Sequence, residues 1–478
     1  MVLTLEEVCA EVLKRTIPNN DERKHVLELA KKLTKRVKAA AEEAGIEAEV
    51  RVEGSVAKDT WLKEEPDIDI FMQVPVTMLR EAFGKICLKI AKKATEGHKQ
   101  IERFAEHPYL ESFINKTRVN IVPCYQVKKG EWISATDRTP FHTDYVKSLL
   151  NSRLRSQVRL LKRFMKGIDV YGAEIRVGGF SGYLCELLIL HHGSITEFLR
   201  SIADWRESRV IDYEGHYKGR EQDARKIFEE PLVVVDPVDK GRNAAAAVTK
   251  ERLNELVVAS RAFLENPGLE FFYPQETEAY TPEELVQAIT TRRSTIVFVK
   301  FGNVRAVPDI LWGQLYKSQR SLRKMLQQHN FSIIRDHVWS NEQDLNMFIF
   351  EVKQRFLPLT KKHLGPPIEK RKECEKFLRK HVGATTTVSG PHVEDGRWVV
   401  ETKRRHMDIV NLLVEKLNDG GRRVGVASLV SQSLANTLKM LVNEEIMKLY
   451  LSNSEFAKFL TEYLEGKPKW LSGTDEKN

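Results

Sequence analysis

The sequence has few cysteines, no long apolar run and no low-complexity tract, and each absence excludes a class of protein. Its cysteines are odd in number, far apart and without a C-x-x-C pair, so neither a disulfide framework nor a zinc site is indicated. They are Cys9, Cys87, Cys124, Cys185 and Cys374. No apolar stretch approaches the roughly 20 residues of a membrane span, and residues 1–6 show no basic segment leading into an apolar one. The sequence therefore predicts a cytoplasmic protein without a membrane partner.

The charge balance is basic, with 76 Lys and Arg residues against 67 Asp and Glu residues and a formal net charge of +9. A basic surplus favours a polyanionic partner such as nucleic acid. The same surplus is typical of an ordinary charge-rich surface, and charge alone does not separate the two interpretations.

The chain of 478 residues is too long for one ordinary core, so we predict several domains with mixed helices and strands. Alternating apolar residues predict strands at 48–52, 67–74, 118–122, 295–301 and 346–352. Helical spacing predicts helices at 21–45, 76–94 and 311–328. The order of strand, helix and strand after residue 290 is similar to that of small RNA-binding-type sheets, and residues 472–478 are predicted to be disordered.

A further predicted helix carries cations in a row. Arg155, Arg159, Lys162 and Lys166 follow helical spacing beside an apolar stripe formed by Leu154, Val158, Leu161 and Met165. A core face flanked by cations favours a phosphate-bearing partner along this helix.

The most informative motif is a Gly-Ser turn followed by two spaced carboxylates. Gly54 and Ser55 precede Asp67-Ile68-Asp69, and residues two apart on a strand share a face. Side-by-side carboxylates are good Mg²⁺ ligands, and a Gly-Ser turn offers N–H groups and a hydroxyl to phosphates that the metals also bind. Asp-Ile-Asp alone would more often be the polar face of an ordinary strand. The combination predicts a nucleotidyltransferase.

The wider pattern resembles a known family. Gly54-Ser55-x-Ala-Lys-x-Thr-Trp-Leu followed by Asp67-Ile-Asp-Ile-Phe is similar to the DNA polymerase β-like nucleotidyltransferase superfamily, and more narrowly to archaeal class I CCA-adding tRNA nucleotidyltransferases. Segments 121–125, 137–142, 171–174, 179–186 and 235–239 resemble that family in the same order. The resemblance is strong over residues 50–245 and continues more weakly beyond.

The resemblance implies an α+β, multidomain chain. It implies a catalytic head at 1–145 with the polymerase β-like fold, a helical neck at 146–260, an α/β body at 261–365 and a tail at 366–478. Two Mg²⁺ ions would be held by Asp67, Asp69 and the residue at position 120. The residues implied to bind the nucleotide are Gly54, Ser55, Lys58, His142, Lys162, Tyr171 and Arg242, the last with Asn243 beside it. The implied partners are ATP, CTP and the 3′ end and acceptor/T arm of tRNA, and the resemblance allows a homodimer.

One position departs from the family pattern. The third carboxylate is expected on the strand before Pro123, and this chain has Asn120 there. An amide neither balances Mg²⁺ nor accepts the proton of an attacking 3′-hydroxyl. Three accounts stay open: a natural change, an engineered change, or compensation by another carboxylate. The function predicted first is CCA addition to tRNA with release of pyrophosphate. The alternatives are a catalytically impaired tRNA- and nucleotide-binding homologue and a related poly(A) polymerase or oligoadenylate synthetase.

Overall fold

The computed structural model describes residues 3–104, 107–206 and 209–471. The segment 472–478, for which the sequence predicts disorder, lies outside these ranges. The described chain divides into two compact units, residues 1–276 with 467–478, and residues 277–466. The sequence-based division into four domains stays a prediction.

The first unit contains ten helices within the described ranges and seven strands. The helices are α1 Leu5–Thr16, α2 Asn20–Glu43, α3 Gly54–Lys58, α4 Arg80–Ala94, α5 Thr139–Leu149, α6 Ser152–Gly167, α7 Gly182–His192, α8 Ile195–Ala203, α9 Glu221–Ile227 and α10 Lys250–Glu265. The strands are β1 Glu49–Glu53, β2 Asp67–Val74, β3 Lys99–Phe104, β4 Pro108–Ile114, β5 Thr117–Tyr125, β6 Val210–Ile211 and β7 Val233–Val234.

A five-stranded sheet with the order β1-β2-β5-β4-β3 forms the centre of the N-terminal part. Strands β2 and β5 are parallel, and the other neighbouring pairs are antiparallel. One face of the sheet packs with the apolar sides of α2 and α4, with Ile68, Ile70 and Met72 fully buried between them. The opposite face of β2 is left for Asp67 and Asp69.

The helices after this sheet form a second core. Their apolar residues pack together from α1, α5, α6, α7, α8 and α10. Helix α7 is buried on nearly every side, from Leu184 to Leu190, which is why its residues follow no amphipathic pattern. Glu186, in the middle of this helix, is the exception in an otherwise apolar run.

The second unit contains seven helices and two sheets within its described residues. Its helices are α11 Pro282–Thr291, α12 Pro308–Gln328, α13 Arg371–His381, α14 Ile409–Leu417, α15 Ser428–Thr437, α16 Met447–Ser452 and α17 Ser454–Glu465. Its strands are β8 Thr295–Phe301, β9 Ile333–Ser340, β10 Asn346–Val352, β11 Thr360–Pro367, β12 Thr387–Glu394, β13 Arg397–Lys403 and β14 Lys439–Val442. The sheet orders are β14-β8-β10-β9 and β11-β13-β12.

Several sequence-based elements agree closely with the observed ones, whereas strands β4, β11, β12 and β14 were not predicted. The strands predicted at 67–74, 295–301 and 346–352 have the observed bounds. The helix predicted from residue 76 begins at Arg80, because residues 75–79 form a turn before it. Strand β9 was not predicted, and it lies next to β10 in the sheet of the second unit. In the described part of the chain, no helix is both long and apolar enough to cross a membrane.

Candidate active site

The two carboxylates predicted from the sequence lie together on one face of β2. Because side chains alternate along a strand, Asp67 and Asp69 point away from the core in which Ile68 is buried. Parallel pairing of β2 with β5 sets Arg118 beside Asp67 and Asn120 beside Asp69. The strand register therefore gathers the acidic pair and residue 120 at one place.

Gly54 lies directly against Asp69 of the acidic pair, Asp67 and Asp69. Strand β1 is antiparallel to β2 with Glu53 opposite Asp69, so the chain leaving β1 passes directly by Asp69. Gly54 has a φ of +67°, and a Cβ on it would lie 2.0 Å from Oδ2 of Asp69. Both the backbone conformation and the close approach require glycine. Ser55 follows, half-buried in the first turn of α3.

Asn120 directs its amide nitrogen at the acidic pair. Its Nδ2 donates a hydrogen bond of 3.0 Å to Oδ1 of Asp69. Burial raises the pKa of Asp69 to about 6, the hydrogen bond from Asn120 opposes the rise, and the neighbouring charge of Asp67 adds to it. The pair of carboxylates therefore lacks the counter-charge that would keep both ionised at low cost.

Arg118 supplies part of this counter-charge. Its guanidinium binds both oxygens of Asp67, with Nε 2.8 Å from Oδ1 and one Nη on Oδ2. The hydrogen-bonded carboxylate raises the pKa of Arg118 above its usual range. The parallel register of β2 and β5 sets Arg118 beside Asp67.

The donor atoms of this site fit a hard divalent cation. Asp67 and Asp69 offer carboxylate oxygens and Asn120 a neutral carbonyl oxygen, which are ligand types that Mg²⁺ accepts. The raised pKa of Asp69 indicates a poorly compensated carboxylate, whereas Asp67 already binds a guanidinium. Across residues 3–104, 107–206 and 209–471, no three or more His, Cys, Asp and Glu side chains are grouped to hold a metal. Asn120 is the position at which the site falls short of three acids.

A buried network joins the two predicted triphosphate lysines. Nζ of Lys58 lies 2.5 Å from Oε2 of Glu186, and Nζ of Lys162 lies 3.3 Å from Oε1. The hydroxyl of Thr60 donates to Oε1 of Glu186 over 2.6 Å. Burial alone would raise the pKa of Glu186, but the two ammonium groups hold it below its usual value. Burial lowers the pKa of Lys162. The structure thus places both lysines on one carboxylate between the sheet and α7.

Tyr171 lies beside the buried network of Lys58, Lys162 and Glu186. Its hydroxyl and Nζ of Lys162 both approach Gly182, lying 2.9 and 3.5 Å from where a Cβ on that glycine would be. Burial raises the pKa of Tyr171 well above its usual value, so the phenol stays neutral. The structure therefore brings Tyr171 and Lys162 together, and their contact with a nucleotide stays a prediction.

The remaining predicted residues form a second cluster around Asp236. Nε2 of His142 lies 2.9 Å, and Nη1 of Arg242 2.6 Å, from Oδ2 of Asp236. The hydroxyl of Tyr183 donates to Oδ1 over 3.1 Å, and its ring stacks on His142 with centroids 4.1 Å apart. Burial lowers the pKa of His142 despite this carboxylate. Asp236, fully buried, fixes the orientation of both predicted nucleotide-binding side chains.

The two clusters are linked through Tyr183, since Nζ of Lys58 lies over its ring, 5.8 Å from the centroid. Asn243, in contrast, is 3% exposed, and its side chain bonds the main chain of residues 232, 234 and 245. Asn243 therefore holds the loop, and Arg242, whose side chain is 38% exposed, stays the candidate for contact with a base.

The predicted row of cations on α6 does not face an open groove. Arg159, 2% exposed, donates to the carbonyl oxygens of residues 59 and 61 and to Asp59. Lys166 pairs with Glu65. Lys162 pairs with Glu186. Arg159 and Lys166 bind the segment between β1 and β2 and not a phosphate groove. Lys162 binds the carboxylate of α7, and its contact with a nucleotide stays a prediction.

Sequence reasoning gave no role to several residues of these clusters: Glu186, Asp236 and Arg118, together with Thr60 and Tyr183, which bond two of these carboxylates. A signal existed for Glu186, since a charged residue within an apolar helix is rarely buried without a partner. Asp236 and Arg118 gave no such signal, because their partners lie on other elements.

The chain also matches known proteins along most of its length. Residues 31–142 match the nucleotidyltransferase domain, residues 156–273 the second domain of tRNA nucleotidyltransferase, and residues 292–443 the C-terminal domain of CCA-adding enzyme. The CCA-adding enzyme of Methanothermobacter thermautotrophicus is 38% identical over 87% of this chain and 90% of that relative. The chain belongs to the CCA-adding enzyme family.

Other relatives of this family match over similar lengths. The CCA-adding enzyme of Methanosarcina acetivorans is 33% identical over 96% of this chain and 98% of that relative. That of Pyrobaculum aerophilum is 37% identical over 88% of this chain and 96% of that relative. Among solved structures, the chain is similar to the Cid1 poly(U) polymerase, with a TM-score of 0.45, 15% identity, and coverage of 55% of this chain and 96% of that one.

Family membership gives the clusters a chemical context. CCA-adding enzymes act on tRNA with nucleotide substrates, and enzymes of the nucleotidyltransferase superfamily generally use a divalent metal. The matched nucleotidyltransferase domain contains Gly54, Asp67, Asp69, Asn120 and His142, and the matched second domain contains Tyr183, Glu186, Asp236 and Arg242.

Proposed function

We propose that this chain adds CCA to the 3′ end of tRNA from CTP and ATP with Mg²⁺ and releases pyrophosphate. The observation that carries the proposal is the close approach of Gly54 to Asp69, beside Asp67, in a chain of the CCA-adding enzyme family. A Gly-Ser turn held against two carboxylates suits a triphosphate and the metals that bind it.

Each residue has a proposed part in the reaction. Asp67 and Asp69 would hold two Mg²⁺ ions, with Oδ1 of Asn120 as a neutral ligand after its amide turns. Bound there, the metals would neutralise the triphosphate and acidify the 3′-hydroxyl. Ser55 would bind a phosphate oxygen through its hydroxyl, and Lys58 would add positive charge. In the reaction, the 3′-oxygen bonds to the α-phosphorus as the bond to the β-phosphate oxygen breaks.

The proton of the 3′-hydroxyl needs an acceptor that Asn120 cannot be. Asp69 is the proposed proton acceptor, because its carboxylate lies next to Asn120 and accepts a hydrogen bond from the Asn120 amide. The cluster around Asp236 would select the base. Asp236 positions Arg242 and His142, and the guanidinium of Arg242 would donate hydrogen bonds to the edge of the base. Lys162 and Tyr171 would lie on the triphosphate side.

Asn120 favours a second candidate, a homologue that binds tRNA and nucleotide with little turnover. General acid–base help is worth about 10²- to 10⁴-fold in rate. A site that lacks its third carboxylate would lose some of that help while keeping the contacts that bind nucleotide. Both candidates share the binding step and differ in turnover.

The test is incorporation of labelled CTP and ATP into a tRNA transcript that lacks its CCA end, with Mg²⁺. The chain, Asn120→Asp and the inactive control Asp69→Asn are compared, and the products are sequenced. Addition of C, C and A by the unchanged chain supports the proposal. Addition only by Asn120→Asp supports the impaired homologue, a homopolymer would indicate a poly(A) polymerase-type activity, and no addition by either would overturn CCA addition.

The remaining proposals concern partners and place. The tail would bind the acceptor/T arm of tRNA, since α13 exposes the cations Arg371, Lys372, Lys376, Arg379 and Lys380. We further propose the cytoplasmic location predicted from the sequence and the homodimer that the resemblance allows; cell fractionation and light scattering would test them.

A further inference from the structure

Arg118 binds the carboxylate of Asp67, which is also a proposed ligand of the metal. Its guanidinium takes both oxygens of Asp67 in a fork, the geometry in which arginine binds carboxylates most strongly. A divalent cation on Asp67 and a guanidinium on the same oxygens exclude each other by contact and by repulsion. Loading of the site therefore requires Arg118 to leave Asp67.

Glu111 lies where the displaced guanidinium can go. Strand β4 is antiparallel to β5 with Glu111 opposite Asn120, so Glu111 shares the face of the acidic pair. It is 5% exposed, and its Oε2 lies 4.0 Å from Nη1 of Arg118. A charge-assisted hydrogen bond is about 2.8 Å long, so the guanidinium needs to shift by only about 1 Å.

We propose that Arg118 and Glu111 form an exchange pair, in which Arg118 neutralises Asp67 in the metal-free site and moves to Glu111 when a metal binds. The inference rests on the proposed function, since it gives Asp67 the role of a metal ligand. Glu111 is then a positioning residue that acts through Arg118. It lowers the cost of metal binding by giving the displaced cation a carboxylate.

The surroundings of Glu111 favour this role over direct metal binding. Its Oε1 already accepts hydrogen bonds of 2.9 Å from Nη2 and 3.3 Å from Nε of Arg103. Only Oε2 is directed toward Arg118. In the described part of the chain, Glu111 is not grouped with Asp67 and Asp69 as a set of metal ligands.

The test is titration of Mn²⁺ binding to the full chain by electron paramagnetic resonance, without nucleotide or RNA. The variants are Arg118→Met, Glu111→Gln and the double variant. Glu102→Gln is the control, because Glu102 of β3 forms an exposed pair with Lys92 of helix α4. Arg118→Met is expected to bind Mn²⁺ about fivefold tighter, because an exposed pair of this kind contributes up to about 1 kcal/mol. Glu111→Gln is expected to bind about threefold weaker, and the control is expected to match the unchanged chain.

The double variant decides the matter, because coupled residues give non-additive effects. If Glu111 acts through Arg118, the double variant binds like Arg118→Met. Equal weakening by Glu111→Gln in both backgrounds would overturn the exchange and make Glu111 a ligand in its own right. Unchanged affinity in Arg118→Met would also overturn it.

Two further measurements keep the result interpretable. Arg118→Lys keeps the charge but loses the fork, and its affinity is expected between those of the unchanged chain and Arg118→Met; circular dichroism checks the fold of every variant. CCA addition is assayed separately. If the effects of Arg118→Met and Glu111→Gln on Mn²⁺ affinity are coupled but no CCA is added, the exchange is supported and the proposed function is refuted. If CCA is added but the two effects are independent, the proposed function is supported and the exchange is refuted.

Discussion

Glu186→Gln is the substitution from which the structure predicts most. The carboxylate of Glu186 is fully buried and binds the ammonium groups of Lys58 and Lys162. Glutamine has almost the same shape but no charge. Two like charges would then lie close together in a buried site, without the anion between them.

The expected loss of stability is large. Removal of one partner from a buried ion pair costs about 3–5 kcal/mol, because the remaining charge is left without compensation. Loss of the proton from Lys162 would limit the cost, since burial already lowers the pKa of this residue. We therefore expect a loss near the lower end, about 3 kcal/mol, seen as a fall of several degrees in the thermal midpoint.

Nucleotide binding makes the prediction specific to the site. If Lys58 and Lys162 contact the triphosphate, CTP supplies the negative charge that Glu186→Gln has removed. The variant is then stabilised more by CTP than the unchanged chain is, although its starting stability is lower. Thermal unfolding with and without saturating CTP, at neutral pH, measures both effects.

A purely structural role for these lysines would give a different result. Glu186→Gln would lower stability, but CTP would shift the midpoint equally in both proteins. Thr60→Val is the matched control, because it removes a hydroxyl that bonds the same carboxylate and leaves every charge in place. Equal CTP shifts in the variant and in the unchanged chain would refute the assignment of Lys58 and Lys162 to the triphosphate.

Three further predictions address other parts of the chain. Gly54→Ala is expected to abolish nucleotide incorporation, whereas Gly45→Ala, also at positive φ but with open space around it, is expected to keep it; activity in Gly54→Ala would contradict the close approach to Asp69. Burial raises the pKa of Glu53 to about 7, so the stability contributed by its protonated form is lost as the pH rises through 7. Between pH 5 and pH 8, the free energy of unfolding of Glu53→Gln, measured in urea, is expected to rise by up to about 3 kcal/mol relative to that of the unchanged chain. Parallel pH profiles would refute this reasoning. In the tail, replacement of the exposed α13 lysines Lys372, Lys376 and Lys380 by glutamine is expected to weaken tRNA binding and to flatten its salt dependence without changing CTP affinity. The same replacement of Lys32, Lys35 and Lys38 on α2 is the control and is expected to leave tRNA binding unchanged.

The fold could be predicted where one periodicity dominates. The first half of strand β2 alternates between half-buried carboxylates and buried isoleucines, and the bounds of the strand were predicted correctly. Strand β9 was missed, because its first residues, from Ile333 to His337, are only partly buried and mix apolar with charged side chains. The pattern of a half-covered strand next to another strand is weak within a single sequence.

The candidate site could be predicted only in part. Gly54, Asp67 and Asp69 follow from spacing along two neighbouring segments. The partners of the predicted residues lie far away along the chain: Glu186 is 128 residues from Lys58, and Asp236 binds His142 from a different part of the sequence. Such pairs depend on packing and register, which local patterns do not contain.

Asn120 and Arg118 together change the electrostatics of the site. In the expected pattern, three carboxylates repel one another until metals bind. Here an amide donates to Asp69 and a guanidinium neutralises Asp67, so the metal-free site is already partly satisfied. Satisfied carboxylates gain less from a cation, because the incoming metal must replace contacts that already exist. We therefore expect turnover to require more Mg²⁺ than in Asn120→Asp, and a shift of the Mg²⁺ midpoint to lower concentration in that variant would show that the missing acid affects metal binding as well as proton transfer.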